Sequence, residues 1–129
     1  MDIAESNLLA GWIGMLAGAV SGALIGLFFH KEQWMGGYGS FRRRLTRLGH
    51  ISFFGLGFLN LLFGLCLKAV PLPVAFAHVA SLGFILGAVT MPLCCFLAAW
   101  RPQFRYLFPI PVLSVVVGIA GVLAGWPRS

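Results

Sequence analysis

Apolar residues fall in four long runs, Leu8–Phe29, Gly49–Leu67, Val74–Ala99 and Leu107–Trp126, separated by short segments that hold most of the charge. As a helix, each run is long enough to cross a hydrocarbon core of ~30 Å at ~1.5 Å per residue. The pattern predicts an all-α integral membrane protein: four transmembrane helices in an up-down bundle, built from two hairpins as a single domain over residues 1–129. Little chain is left over, so there is no room for a soluble catalytic domain.

The segments between the runs refine this picture. "HKEQWMGGYGS", His30 to Ser40, reads as a glycine-rich loop turning at Gly36-Gly37, with Trp34 and Tyr38 suited to a membrane interface. "FRRRLTRL", Phe41 to Leu48, reads as an amphipathic helical lead-in continuous with the second run. The prolines of "KAVPLP" predict a short, stiff turn between the second and third runs. Pro92 interrupts the third run and predicts a kink, with the freed carbonyl of Ala88 satisfied by Thr90 or by a neighbouring helix.

Small residues give the strongest packing signal. Gly14, Gly18, Gly22 and Gly26 recur every four residues, with Gly11 a turn earlier, and on a helix they form one flat groove. Helices in lipid associate by close backbone contact, which such a groove permits. It suits a neighbouring span, a second copy or another protein. Asn60, in mid-run, is costly in hydrocarbon unless bonded, so it should tie the second span to another helix.

Composition supports the membrane class: 60% of the residues are hydrophobic and 9% charged. A net charge of +6 would suggest nucleic acid as a partner of a soluble protein, but here it reads as topology. Lys31, Arg42, Arg43, Arg44, Arg47, Arg101 and Arg105 follow the first and third runs, whereas Lys68 and Arg128 fall on the other side. By the positive-inside rule both termini lie outside, non-cytoplasmic, as expected for a bacterial inner-membrane protein. Asp2 and Glu5 precede the first run with no basic residue beside them, which argues against a cleaved signal peptide. Arg42, Arg43, Arg44 and Arg47 also suit anionic lipid headgroups, at ~1 kcal/mol each.

Candidate chemistry is sparse. No acidic residue lies inside a run, which counts against a proton-coupled exporter. No H-E-x-x-H motif or nucleophile–base set is present, and no metal site is expected. Cys66, Cys94 and Cys95 read as buried small residues. His50 and His78 begin runs that enter from opposite sides, so their depths differ by ~20 Å and one haem cannot take both. His30 ends the first run where His50 begins the second, with Cys94, Cys95 and Met91 approaching the same level and Glu32 in the loop. Arg43, Arg47 and His50 share a helical face that continues through Phe54, Gly57 and Gly64. An imidazole, arginines for propionates and glycines to admit a macrocycle would make a b-type haem or quinone site. The plainer account is an ordinary polar membrane boundary. His78 reads as an interfacial residue or a partner for Ser81.

By elimination, the reading is a non-enzymatic accessory or structural subunit that docks through glycine-rich helix packing. Its partners would be the lipid bilayer and another membrane protein or a second copy, with no nucleic acid. One alternative is a haem- or quinone-binding electron carrier using His50 with His30. The other is a small dimeric channel or transporter joined through Gly14, Gly18, Gly22 and Gly26.

Overall fold

The computed structural model describes residues 1–127, so Arg128, counted above in the charge balance, lies outside the described residues. Four helices follow in order: α1 (Ile3–Phe29), α2 (Phe41–Ala69), α3 (Val74–Trp100) and α4 (Pro109–Gly125). Two 3₁₀ segments, Trp34–Gly36 and Pro102–Leu107, join α1 to α2 and α3 to α4. There is no strand among the described residues. The chain forms four helical stretches long and apolar enough to cross a membrane.

Helix ends follow local capping chemistry rather than the hydropathy boundary. Asp2 accepts a hydrogen bond from the Glu5 N–H at 2.7 Å, and the Glu5 carboxylate accepts from the Asp2 N–H at 3.2 Å. This capping box starts α1 at Ile3, five residues before the apolar run, and so draws Asn7 into the helix. Ser40 caps α2 with a single bond, accepting from the Arg43 N–H at 3.1 Å. The arginine-rich lead-in is therefore the first two turns of α2 itself. α4 begins at Pro109, because Pro102–Leu107 is wound as a 3₁₀ helix.

Pro92 sits buried within an unbroken α3. Thr90 does not reach the carbonyl of Ala88: its hydroxyl donates to Leu86 O at 2.7 Å.

Consecutive helices are antiparallel. α1 packs along α2, α2 along α3 and α3 along α4, whereas α1 meets α3 over a shorter stretch and has no substantial contact with α4. The up-down order holds, but the four helices do not close into a symmetrical bundle. α2 and α3 form the inner pair, and α1 and α4 lie outside them. Two glycine seams set the outer helices close. A Cβ built at Gly14 would lie 3.2 Å from Phe53 O and 3.3 Å from Gly57 Cα. One built at Gly83 would lie 2.5 Å from Ser114 O and 2.8 Å from the backbone nitrogen of Gly118. At these points helix backbones touch directly, which is the close approach small residues allow.

The seven basic residues from Lys31 to Arg105 in the two 3₁₀-containing connections, α2's first turns and the end of α3 thus share one end of the fold, with Asp2, Glu5, Lys68 and His78 at the other.

Candidate functional site

Three polar clusters tie the helices together. The first joins α1, α2 and α3 within the apolar interior. Asn7 Nδ2 donates to Asn60 Oδ1 at 2.8 Å, and Ser81 Oγ donates to Asn7 Oδ1 at 2.5 Å. Asn60 Nδ2 donates in turn to Leu56 O at 2.9 Å and Phe84 O at 3.1 Å. Asn7 and Asn60 are wholly buried, so hydrogen bonding between helices offsets the cost of placing amides there. Ser81 is thus bonded to Asn7 rather than to His78, which is exposed. The sequence did signal Asn7: it precedes Gly11, Gly14, Gly18 and Gly22 on one helical face at spacings of four, three, four and four. Hydropathy alone hides it by starting the run at Leu8.

The second cluster surrounds Arg43. Its side chain is fully buried, donating through Nη1 to Lys31 O at 3.1 Å and Glu32 O at 3.4 Å, and through Nη2 to Phe29 O. The guanidinium lies 4.0 Å from the Tyr38 ring centroid and 4.5 Å from that of Phe29, with Trp34 at 5.4 Å. α1 ends without a basic residue in its last turn, leaving carbonyls with no intrahelical donor. Arg43 supplies that donor and that charge from the neighbouring helix. The aromatic faces take the remaining cation surface. Around it the loop folds tightly: Met35 has φ of 54°, and Gly36 and Gly37 have φ of 86° and 97°. The Ser40 hydroxyl pins Met35 O at 2.6 Å.

The third cluster is His50. Its Nδ1 lies 3.2 Å from Ser21 Oγ, and its ring sits against Gly22, where a Cβ would come within 2.5 Å of Cε1 and 3.1 Å of Nε2. Phe54 meets the His50 ring edge-on at 5.5 Å and fills the space over Gly18 in the same way.

These contacts bear on each proposed ligand residue. His50 is level with Gly22, eight residues before His30 on α1, or ~12 Å along the helix. His30 is exposed, and its carbonyl accepts from the Tyr38 hydroxyl at 3.3 Å. The two histidines are not brought together. Arg43 is spent on the end of α1 and faces no ligand space, while Arg47 is exposed. Gly57 and Gly64, which were to admit a macrocycle, face the backbone of α1 at Gly11 O and Ala4 O. The residues present do not fit a haem: the space beside His50 is filled by α1. Cys95 faces Gly49, and the Cys94 thiol points to Leu107 O at 3.7 Å. Among the described residues no group of three or more His, Cys, Asp or Glu could hold a metal ion.

The glycine groove of α1 is likewise occupied by α2. Leu61, Gly57, Phe54 and His50 stand over Gly11, Gly14, Gly18 and Gly22, and only Gly26 has open space. Gly26 therefore lies off the seam.

What remains unfilled is apolar. A cleft of about 280 Å³ lies between α1 and α3, floored by Phe53 and walled by Ala10, Gly14, Ala17 and Ala88 among others. A larger one, about 550 Å³, lies between α2 and α4, with Met91 of α3 at its base. The protein is thus of the class of small all-helical proteins whose helices are long and apolar enough to cross a membrane, with a hydrogen-bonded polar interior in which Arg43 Nε is the one buried side-chain nitrogen or oxygen without a partner among the described residues, and with lateral apolar clefts. No protein-family profile matches the chain, and no characterised protein or solved structure is significantly similar to it.

Proposed function

We propose that the protein is a non-enzymatic accessory subunit that binds a transmembrane helix of a larger membrane complex in the α1–α3 cleft. The observation that carries this reading is the lining of that cleft. Ala10, Ala17 and Ala88 are small among the bulkier Ile13, Phe53, Ile85 and Val89, where a lipid-facing wall needs no small residues, and they leave room for a second backbone to approach. The buried polar side chains are engaged within the fold: Asn7, Asn60, Ser81 and Arg43 tie the helices together, and His50 packs against α1. The surface is left to carry the function. The charge bias orients this subunit with its arginine-rich end in the cytoplasm, in a bacterial inner membrane.

A photo-crosslinking side chain placed at Ala17 or Ala88 in cells tests the docking. Both positions should yield one discrete protein adduct, and Leu16, exposed on another face of α1 at the same depth, should not. Adducts only to lipid from all three positions would sink the reading.

A further inference from the structure

We infer that the α2–α4 cleft is a binding site for one anionic phospholipid, with an acyl chain in the cleft and its phosphate held by Arg44 and Arg105. The inference rests on the chain spanning a membrane and is independent of the accessory-subunit reading.

Shape comes first. The cleft lies toward the arginine-rich end of the fold, where Leu48, Ser52, Gly55 and Leu56 of α2 and Phe108 and Val112 of α4 line it. From Leu48 to Leu56 is eight residues, ~12 Å of helix, which is close to one leaflet of a ~30 Å hydrocarbon core. Toward the other end of the fold a second apolar pocket of about 240 Å³, lined by Leu59, Phe63, Phe84 and Val122 among others, continues the groove between α2 and α4. Gly55 makes the wide part: nothing lies within 4 Å of a Cβ built there. Ser52 is the polar residue of this wall, and its hydroxyl is bonded back to Gly49 O at 2.7 Å, so it offers an acyl chain no unsatisfied donor.

Charge decides between lipids. Arg44 stands one turn before Leu48 on the stripe that continues through Ile51 and Gly55, so it crowns the α2 wall. Arg105 stands three residues before Phe108 at the end of a 3₁₀ helix, where positions three apart eclipse, so it crowns the α4 wall. Both are exposed. Carboxylates to neutralise them are scarce: of three in the sequence, Asp2 and Glu5 are engaged with each other at the far end of α1, leaving Glu32. Arginines one turn beyond the ends of an apolar cleft match an anionic headgroup joined to an acyl chain.

The test is native mass spectrometry of the delipidated, detergent-solubilised full chain, titrated with phosphatidylglycerol or with phosphatidylcholine of identical acyl chains. One phosphatidylglycerol should be retained in preference to phosphatidylcholine. Arg44→Gln and Arg105→Gln should each weaken phosphatidylglycerol binding about fivefold and leave phosphatidylcholine unchanged. Lys31→Gln, on the loop from α1, should change neither. Gly55→Phe should weaken both lipids, and an unaltered melting temperature would show that it still folds. Equal binding of the two lipids, or a preference that survives both arginine substitutions, overturns the inference. So does a dimer that Gly55→Phe converts to monomer without changing lipid binding, because the cleft then holds a second copy.

Discussion

At the scale of single residues, polar side chains placed in an apolar interior act as specifiers of how the helices meet. Arg43 belongs to a run of three arginines, "RRR", yet its neighbours Arg42 and Arg44 are exposed and it alone is fully buried. The helical phase turns only this one toward the end of α1, where carbonyls lack donors. Asn60 works by the same logic with neutral groups. Asn60→Leu removes the acceptor for Asn7 Nδ2 and leaves that donor buried and unpaired. It should lower stability by about 1–2 kcal/mol, read from denaturant unfolding in detergent micelles. The double substitution Asn7→Leu with Asn60→Leu should cost less than the sum of the two single changes. Strict additivity would mean that the amides do not act as a pair.

At the scale of elements, glycine decides where helices touch and where they face outward. Seventeen glycines could all have been packing residues, but their surroundings divide them. At Gly83 an added methyl group would meet backbone atoms of Ser114 and Gly118, which cannot rotate away, so α3 and α4 would have to separate. Gly83→Ala should therefore cost about 1–3 kcal/mol, as other overpacked contacts do. Gly26→Ala meets open space, so it should be neutral or stabilising by up to about 1 kcal/mol, through helix propensity. Thermal unfolding of the two variants side by side checks the contrast. Equal shifts would mean that the α3–α4 seam is looser than its geometry indicates. Pro92 lies buried inside α3, which continues as one helix from Val74 to Trp100.

At the scale of the whole molecule, charge and shape are separated along one axis. Seven of the eight described lysines and arginines gather where α1 meets α2 and α3 meets α4, whereas Lys68, the start of α1 and the end of α4 lie at the opposite end. Reporter fusions at either terminus should be active only when exported, whereas a reporter in the 30–40 loop should be active only in the cytoplasm. The reverse pattern would overturn the proposed orientation. The open order of the helices also matters. Because α1 and α4 have no substantial contact, each inner helix is left partly uncovered, and the clefts follow from that incomplete cover.

The four apolar runs, their helical form and the end-to-end charge asymmetry follow from the sequence, because length, hydropathy and charge are properties of a linear chain. The placement of the candidate site did not follow in the same way. His50, His30, Arg43 and Arg47 look like one cluster when spacing and depth alone are counted. Only tertiary packing shows His50 against Ser21 and Gly22, Arg43 on the end of α1, and His30 and Arg47 exposed. Rotation about a helix axis and the choice of neighbour are set by which faces interlock. That is a property of pairs of helices, and no single run encodes it.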